Sequence, residues 1–210
     1  MNTLIHRLRS LLAPLALCAA VLLVNACGGG GGGGGSVPGP GPGAGPDPIP
    51  DPIPAVKTWT GAQLIERNDV DSAADPQIAV DADGNAMAVW SQSDGTLYSI
   101  WASRFTPSTG WGTPTLIEAD EAGGAGIPQV AVDSSGNAIA VWDQYDGTRS
   151  NIYANRFTPS AGWGTVTLVE NNIDGDAYRA QISTDAGGNA IAVWSQSEGT
   201  VFNIWANRFT

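Results

Sequence analysis

Tandem four-stranded antiparallel sheets in an all-β domain are the fold class this sequence predicts, and three observations predict it. Trp90, Trp142 and Trp194 stand 52 residues apart, as do Phe105, Phe157 and Phe209. Whole phrases recur at that offset: Ala88-Val89-Trp90-Ser91-Gln92 returns as Ala140-Val141-Trp142-Asp143-Gln144 and Ala192-Val193-Trp194-Ser195-Gln196. Beyond residue 54 no helical spacing of apolar residues persists, and runs rich in Val, Ile, Trp, Tyr and Thr alternate with turn clusters.

One unit shows how the strands are read. Gln129–Asp133, Ala138–Gln144, Asn151–Thr158 and Trp163–Glu170 are strand-like, and Ser134-Ser135-Gly136-Asn137, Asp146-Gly147-Thr148 and Pro159-Ser160-Ala161-Gly162 separate them. These separators have the length and composition of short hairpin turns. A four-stranded unit of about 40 to 50 residues in tandem is the signature of a β-propeller blade, whose two faces both pack on neighbours. Ala138-Ile139-Ala140-Val141-Trp142 fits, because it does not alternate with polar residues as a strand with one wet face does. A β-solenoid and separate small β modules are the competing architectures.

Residues 55–210 hold three repeats, fewer than the four to eight blades of closed propellers. The third repeat reaches Thr210 without a fourth strand, and Trp59–Glu66 aligns with the fourth strands that begin at Trp111 and Trp163. A fragment or an incomplete ring is expected. Trp59–Glu66 could complete the third unit in the same chain or in a partner, and association of two chains into six blades, a homo-oligomer, is the further option.

The N-terminal region carries its own signals. His6, Arg7 and Arg9 precede an apolar run from Leu11 to Val24 broken only by Pro14, the order of a cleavable secretory signal over residues 1–26. The run is too short for a membrane span and lacks a basic cluster after it. Residues 27–54 form a tether of a glycine run, Gly28–Gly35, followed by proline-rich sequence that favours extended polyproline II over roughly 55 Å. Removing residues 1–26 leaves seven basic against twenty acidic residues, a net charge of −13, with no histidine and Cys27 as the one cysteine. Such a surface repels nucleic acid, so no nucleic-acid partner is expected. A single cysteine forms no internal disulfide, and without histidine the usual hydrolase triads and most zinc and copper sites are excluded.

Val24-Asn25-Ala26-Cys27 resembles the lipobox of bacterial lipoproteins. The resemblance implies that Cys27 is lipidated and becomes the N-terminus, with the membrane as partner through the lipid anchor. Gly28 after it implies passage to the outer membrane of the cell envelope. Val-Asp-x-x-Gly-Asn before an apolar strand, at Val80–Asn85 and Val132–Asn137 with Thr184–Asn189 as a variant, resembles secreted NHL-like and sialidase-like propeller repeats. That resemblance covers residues 55–210 and implies the fold more than an activity.

Candidate site residues follow from what the repeats carry. Trp101, Tyr153 and Trp205 share one aromatic slot, the choice for a ligand-stacking face if any repeated aromatic is exposed. Asp81, Asp83 and Asn85 surround a glycine in the manner of a calcium loop, although the equivalent turns lose the second acid and a tight hairpin is the favoured reading. Asn171 to Asp176 is a weaker calcium candidate, and no other cofactor is expected. Arg104, Arg156 and Arg208 occupy one repeating slot and are expected to pair with Glu66, Glu118 and Glu170 or with carbonyls between blades. The unrepeated residues Glu121, Arg149, Asp176, Tyr178 and Arg179 are where asymmetry can arise. The expected function is a surface-tethered, non-catalytic binding module for a protein or glycan. A carboxylate-dependent glycan hydrolase or lyase, which needs only paired acids, and a structural envelope protein are the alternatives.

Overall fold

Each 52-residue repeat forms its own antiparallel sheet. A computed structural model of the chain describes residues 57–66, 71–118, 123–171 and 174–210. The expected signal and tether with Cys27, and Glu121, Asn172 and Ile173, lie outside the described residues. The chain divides into two units, Met1–Lys57 and Thr58–Thr210, and the second carries the repeats.

The first sheet contains β1 (Ala73–Val80), β2 (Ala86–Ser93), β3 (Tyr98–Thr106), β4 (Gly110–Trp111) and β5 (Thr115–Leu116). The second repeats it with β6 (Ala125–Val132), β7 (Ala138–Tyr145), β8 (Ser150–Thr158), β9 (Gly162–Trp163) and β10 (Thr167–Leu168). The third has β11 (Ala177–Thr184), β12 (Ala190–Glu198) and β13 (Val201–Phe209) and no fourth strand.

Two expected elements differ in detail. The single run Trp163–Glu170 is in fact two short pieces on β8, because Phe157 pairs with Trp163 whereas Ala154 pairs with Thr167. Two residues on one side, Asn155 and Arg156, therefore face three on the other, Gly164, Thr165 and Val166, and the extra residue breaks the ladder as a bulge does. The first strand of the unit starts at Ala125, earlier than Gln129, because Gly126 and Pro128 read as turn residues yet sit in a bulge between Gly126 and Gln129. Residues 57–66 form no strand, so they do not complete the third sheet within the chain. Ile65 and Glu66 instead line a cleft with Ala73, Ala74 and Trp90 beside the first sheet.

The sheets pack face to face in chain order. Met87, Val89, Ile100 and Ala102 of the first sheet meet Ala138, Ala140 and Trp142 of the second, with Ile117 buried between them. The opposite face of the second sheet, Ile139, Val141 and Ile152, meets Ala180, Ala190 and Trp194 of the third. Both faces of Ala138–Trp142 are thus buried, as its unbroken apolar pattern demands. Shared cores of this kind exclude independent modules. The indole of each repeated tryptophan is satisfied internally: Trp142 Nε1–H donates to Gln144 Oε1 at 2.9 Å, and Trp90 and Trp194 donate in the same way to Gln92 and Gln196.

The hairpin after the first strand of each unit is built by its aspartate. Asp133 Oδ1 accepts from the backbone N–H of Ser135 at 2.8 Å and of Asn137 at 3.0 Å, and Oδ2 accepts from Asn137 Nδ2 at 2.7 Å. Gly136 takes the left-handed conformation, φ 75°, that this loop requires. Asp133→Ala removes three bonds to a buried carboxylate and is expected to destabilise the chain by about 2 kcal/mol. Urea unfolding of the variant against the parent measures this, and an unchanged midpoint would show that the turn does not depend on the carboxylate.

Candidate functional site

The sequence-derived candidates separate in the structure. Trp101, Tyr153 and Trp205 lie on β3, β8 and β13, each directly across from Trp90, Trp142 or Trp194. They are half-buried, one to a sheet, and Tyr153 and Trp205 pack on the two cores. No shared stacking surface results. Asp81 spends its oxygens inside its own turn, on the N–H groups of Asp83 and Asn85 and on Asn85 Nδ2, while Asp83 points to solvent at the loop surface. Among the described residues, no group of three or more His, Cys, Asp or Glu side chains is placed to hold a metal ion.

The repeating arginines bridge adjacent sheets through rings. The Arg104 guanidinium sits 5.7 Å over Phe157 of the next repeat, and Arg156 sits 5.7 Å over Phe209. The repeating acids have partners of their own: Gln144 Nε2 donates to Glu118 at 2.6 Å, and the Ile152 N–H donates to Glu170 at 2.7 Å. A cleft of about 670 Å³ runs between the first and second sheets past Arg104, Phe157 and Trp163. Its counterpart between the second and third sheets holds Arg156, Arg208 and Phe209. Because the same slots recur, this groove belongs to packing between repeats.

One cleft does not repeat. About 510 Å³ in volume, it is lined by Ile127, Asp143, Tyr178, Arg179, Ser195 and Phe202. Its position follows from the bulge in the first strand of every unit, where Asp75, Ile127 and Arg179 adopt φ of 51°, 50° and 57°. Non-glycine residues, and a β-branched one above all, are strained in that region. The strain recurs at one aligned slot, yet the three residues are an acid, an aliphatic and a base. A bulge re-aims a side chain out of the ladder, and here three sheets aim chemically unlike groups from equivalent places.

Asp143 is the centre of this cleft. It replaces Ser91 and Ser195 of the other repeats, on the strand that follows the bulged one. Burial pushes its carboxyl up to about 6, the backbone N–H of Arg179 opposes that by donating to it, the Asp75 carboxylate adds to the rise, and the Arg179 charge opposes it. Its Oδ1 is buried without a protein hydrogen-bond partner. A buried acceptor left in that state carries a desolvation cost that a donor from a ligand relieves. Tyr178 and Phe202 add aromatic surface, and Arg179 and Ser195 add donors.

Of the unrepeated residues singled out from the sequence, Tyr178 and Arg179 line this cleft, whereas Asp176 accepts from the Ser150 N–H at 2.8 Å and Arg149 lies near Glu170. Asp75 and Asp143 were not singled out. The signal was present: in repeats otherwise copied phrase by phrase, Ser-Asp-Ser and Asp-Ile-Arg are two aligned slots whose chemistry changes.

No known family model and no curated protein sequence matches the chain. Solved structures do. A protein of unknown function from Dyadobacter fermentans is similar with a TM-score of 0.50 at 12% identity, over 69% of this chain and 52% of that one. An endo-arabinase from Bacteroides thetaiotaomicron matches with a TM-score of 0.45 at 15% identity, over 66% and 56% of the two chains. A glycosyl hydrolase from Bacteroides ovatus matches with a TM-score of 0.41 at 14% identity, over 60% and 46%. The chain spans about half the length of these proteins. At such identities the likeness to the first is one of fold alone.

Proposed function

We propose that this chain is a lipid-anchored protein of the bacterial envelope whose repeats are β-propeller blades and whose unrepeated cleft binds a hydroxyl-rich glycan. The convergence of Asp143, Arg179 and Tyr178 at one place among otherwise copied slots carries the reading. A buried carboxyl oxygen free to accept, neighbouring donors and two aromatic faces form the mixed polar and apolar lining that sugar hydroxyls and ring faces complement. The signal, Cys27 and the tether supply the anchor and hold the repeats off the membrane.

A second reading has its own support. A carboxyl near 6 that feels the charge of a second carboxylate, Asp143 with Asp75, has the raised acidity that general acid catalysis on a glycoside uses. One experiment separates the two. Full-length chain in detergent is titrated with a panel of polysaccharides and oligosaccharides, following tryptophan fluorescence for binding and reducing ends for cleavage. Under the binding reading at least one glycan binds without being cut, and Asp143→Asn and Tyr178→Ala each weaken it at least tenfold. Release of reducing ends that Asp143→Asn abolishes makes the chain a hydrolase. Absence of any bound or cleaved glycan overturns both.

A further inference from the structure

The two walls of the unrepeated cleft have opposite hydrogen-bonding characters. The second sheet contributes Asp143 and Ile127: Asp143 pairs with Gly126 across the ladder, and Ile127 follows Gly126 in the bulge. Asp143 Oδ1 is a buried acceptor without a protein donor, and Ile127 is 39% exposed. At φ 50° this isoleucine is a strained, β-branched residue whose side chain the bulge holds out of the ladder. The third sheet contributes Tyr178, Arg179 and Ser195, with Ser195 directly across from Tyr178 and Arg179 in the bulge beside it. Arg179 is exposed, and no hydrogen bond of its guanidinium occurs among the described residues. One wall therefore offers an acceptor beside an aliphatic surface, and the other offers donors.

A group held between these walls meets both only if it presents a donor and an apolar patch to one side and an acceptor to the other. A secondary acetamide does so by its covalent geometry. The planar trans amide points its N–H and C=O in opposite directions, and the acetyl methyl lies on the N–H side. Its N–H faces Asp143 Oδ1, its methyl faces Ile127, and its carbonyl faces the donors of Arg179 and Ser195. Other sugar substituents fit worse. An ammonium pairs with Asp143 but opposes Arg179, and a hydroxyl leaves Ile127 without a partner. A carboxylate brings no donor to Asp143 and meets a chain of net charge −11. The cleft's volume of about 510 Å³ lies within the roughly 300 to 1,000 Å³ of small-molecule sites.

Resting on the glycan reading above, we propose that the cleft recognises the acetamido group of an N-acetylated sugar, with Asp143 accepting its N–H, Ile127 covering its methyl and Arg179 donating to its carbonyl. The repeats show why this sheet carries the acceptor wall. In the same two slots the first unit has Ser91 with Asp75 and the third has Ser195 with Arg179, so only the second unit joins a carboxyl to an exposed aliphatic side chain. Ile127 is thereby a specificity-determining residue: it does not hold the sugar's hydroxyls, and it separates an acetamido sugar from its amino and hydroxyl counterparts.

The test uses the full-length chain in deuterated detergent with methyl glycosides of gluco and galacto configuration, each as the acetamido, amino and hydroxyl form at the second ring carbon. The members of a set differ only there. In saturation-transfer NMR titrations the acetamido form of at least one set is expected to bind about tenfold more tightly than its two counterparts, with the acetyl methyl the most strongly saturated group. Ile127→Gly removes the methyl's partner and places at φ 50° the residue that tolerates it, so the fold is kept while the preference is expected to fall to within about twofold. Asp143→Asn turns an amide N–H toward that of the ligand and is expected to have the same effect on the preference. A parent preference of less than about twofold, or one that either substitution leaves unchanged, would overturn the proposal. If the parent binds an Asp143-dependent glycan that has no acetamido group, the proposal falls and the glycan reading stands; if no sugar or polysaccharide binds, both fall.

Discussion

Trp142→Ala is expected to destabilise the chain by about 4 kcal/mol, among the largest effects of any single substitution here. Trp142 is fully buried on the middle sheet and fills the space between that sheet and the first, against Val89, Ile100 and Ala102. Removing the indole leaves a cavity bounded by two sheets that their hydrogen-bond ladders hold in place, so the site cannot collapse to refill it. It also strips Gln144 of the Nε1–H donor that its carbonyl accepts at 2.9 Å. Trp59→Ala, by contrast, changes a side chain in full solvent and is expected to stay within about 0.5 kcal/mol in the monomer. Urea denaturation of both variants makes the comparison, and a loss below about 1 kcal/mol at Trp142 would mean that the sheets do not share a rigid core.

Asp143→Asn is expected to change the pH dependence of stability and the function in opposite directions. The Asp143 carboxyl is raised to about 6 from the ordinary 3.8, chiefly by burial. Between those pH values the folded chain retains a proton that the unfolded chain has released. The contribution is therefore fully present below the ordinary value and is lost as pH rises through about 6. Allowing for screening in a cleft that is partly open, the loss amounts to about 2 kcal/mol. Asparagine keeps an acceptor for the Arg179 N–H and carries no charge, so the variant should lack this slope and be the more stable protein above pH 6. If the cleft binds glycan as proposed, the variant should also bind it more weakly, because an amide replaces the carboxyl whose Oδ1 is buried without a protein partner. Unfolding free energies at a series of pH values from 4 to 8 decide the matter; equal slopes in parent and variant would place the proton elsewhere.

Much of the fold is legible in the residues themselves. The 52-residue offset, the turn clusters and the unbroken Ala-Ile-Ala-Val-Trp run require sheets buried on both faces, because only such strands dispense with a polar alternation. The Asp-x-x-Gly-Asn hairpins follow locally as well, since an aspartate that can reach N–H groups two and four residues on needs no tertiary partner. Periodicity pointed to Glu66, Glu118 and Glu170 or to carbonyls between blades as partners for the repeating arginines, whereas Arg104 and Arg156 sit over phenylalanine rings 53 residues on, a choice that only the stacking of the sheets makes.

The cleft was less legible for a similar reason. Asp143 differs from Ser91 and Ser195 by one substitution, and nothing local announces that its carboxylate accepts from the Arg179 N–H and feels the Asp75 charge. Arg179 comes from the next repeat and lines the cleft with Asp143, and the Asp75 charge acts on it from the preceding repeat, so neither influence exists until the sheets stack. By itself, then, the sequence determined the period, the turns, the doubly apolar strands and the candidate anchor at Cys27, all properties of neighbours along the chain. The tertiary structure alone decided which unlike residues of two copied units share one cleft, and which repeated side chains are sealed between sheets, because burial is a property of what packs alongside and not of the strand that carries it.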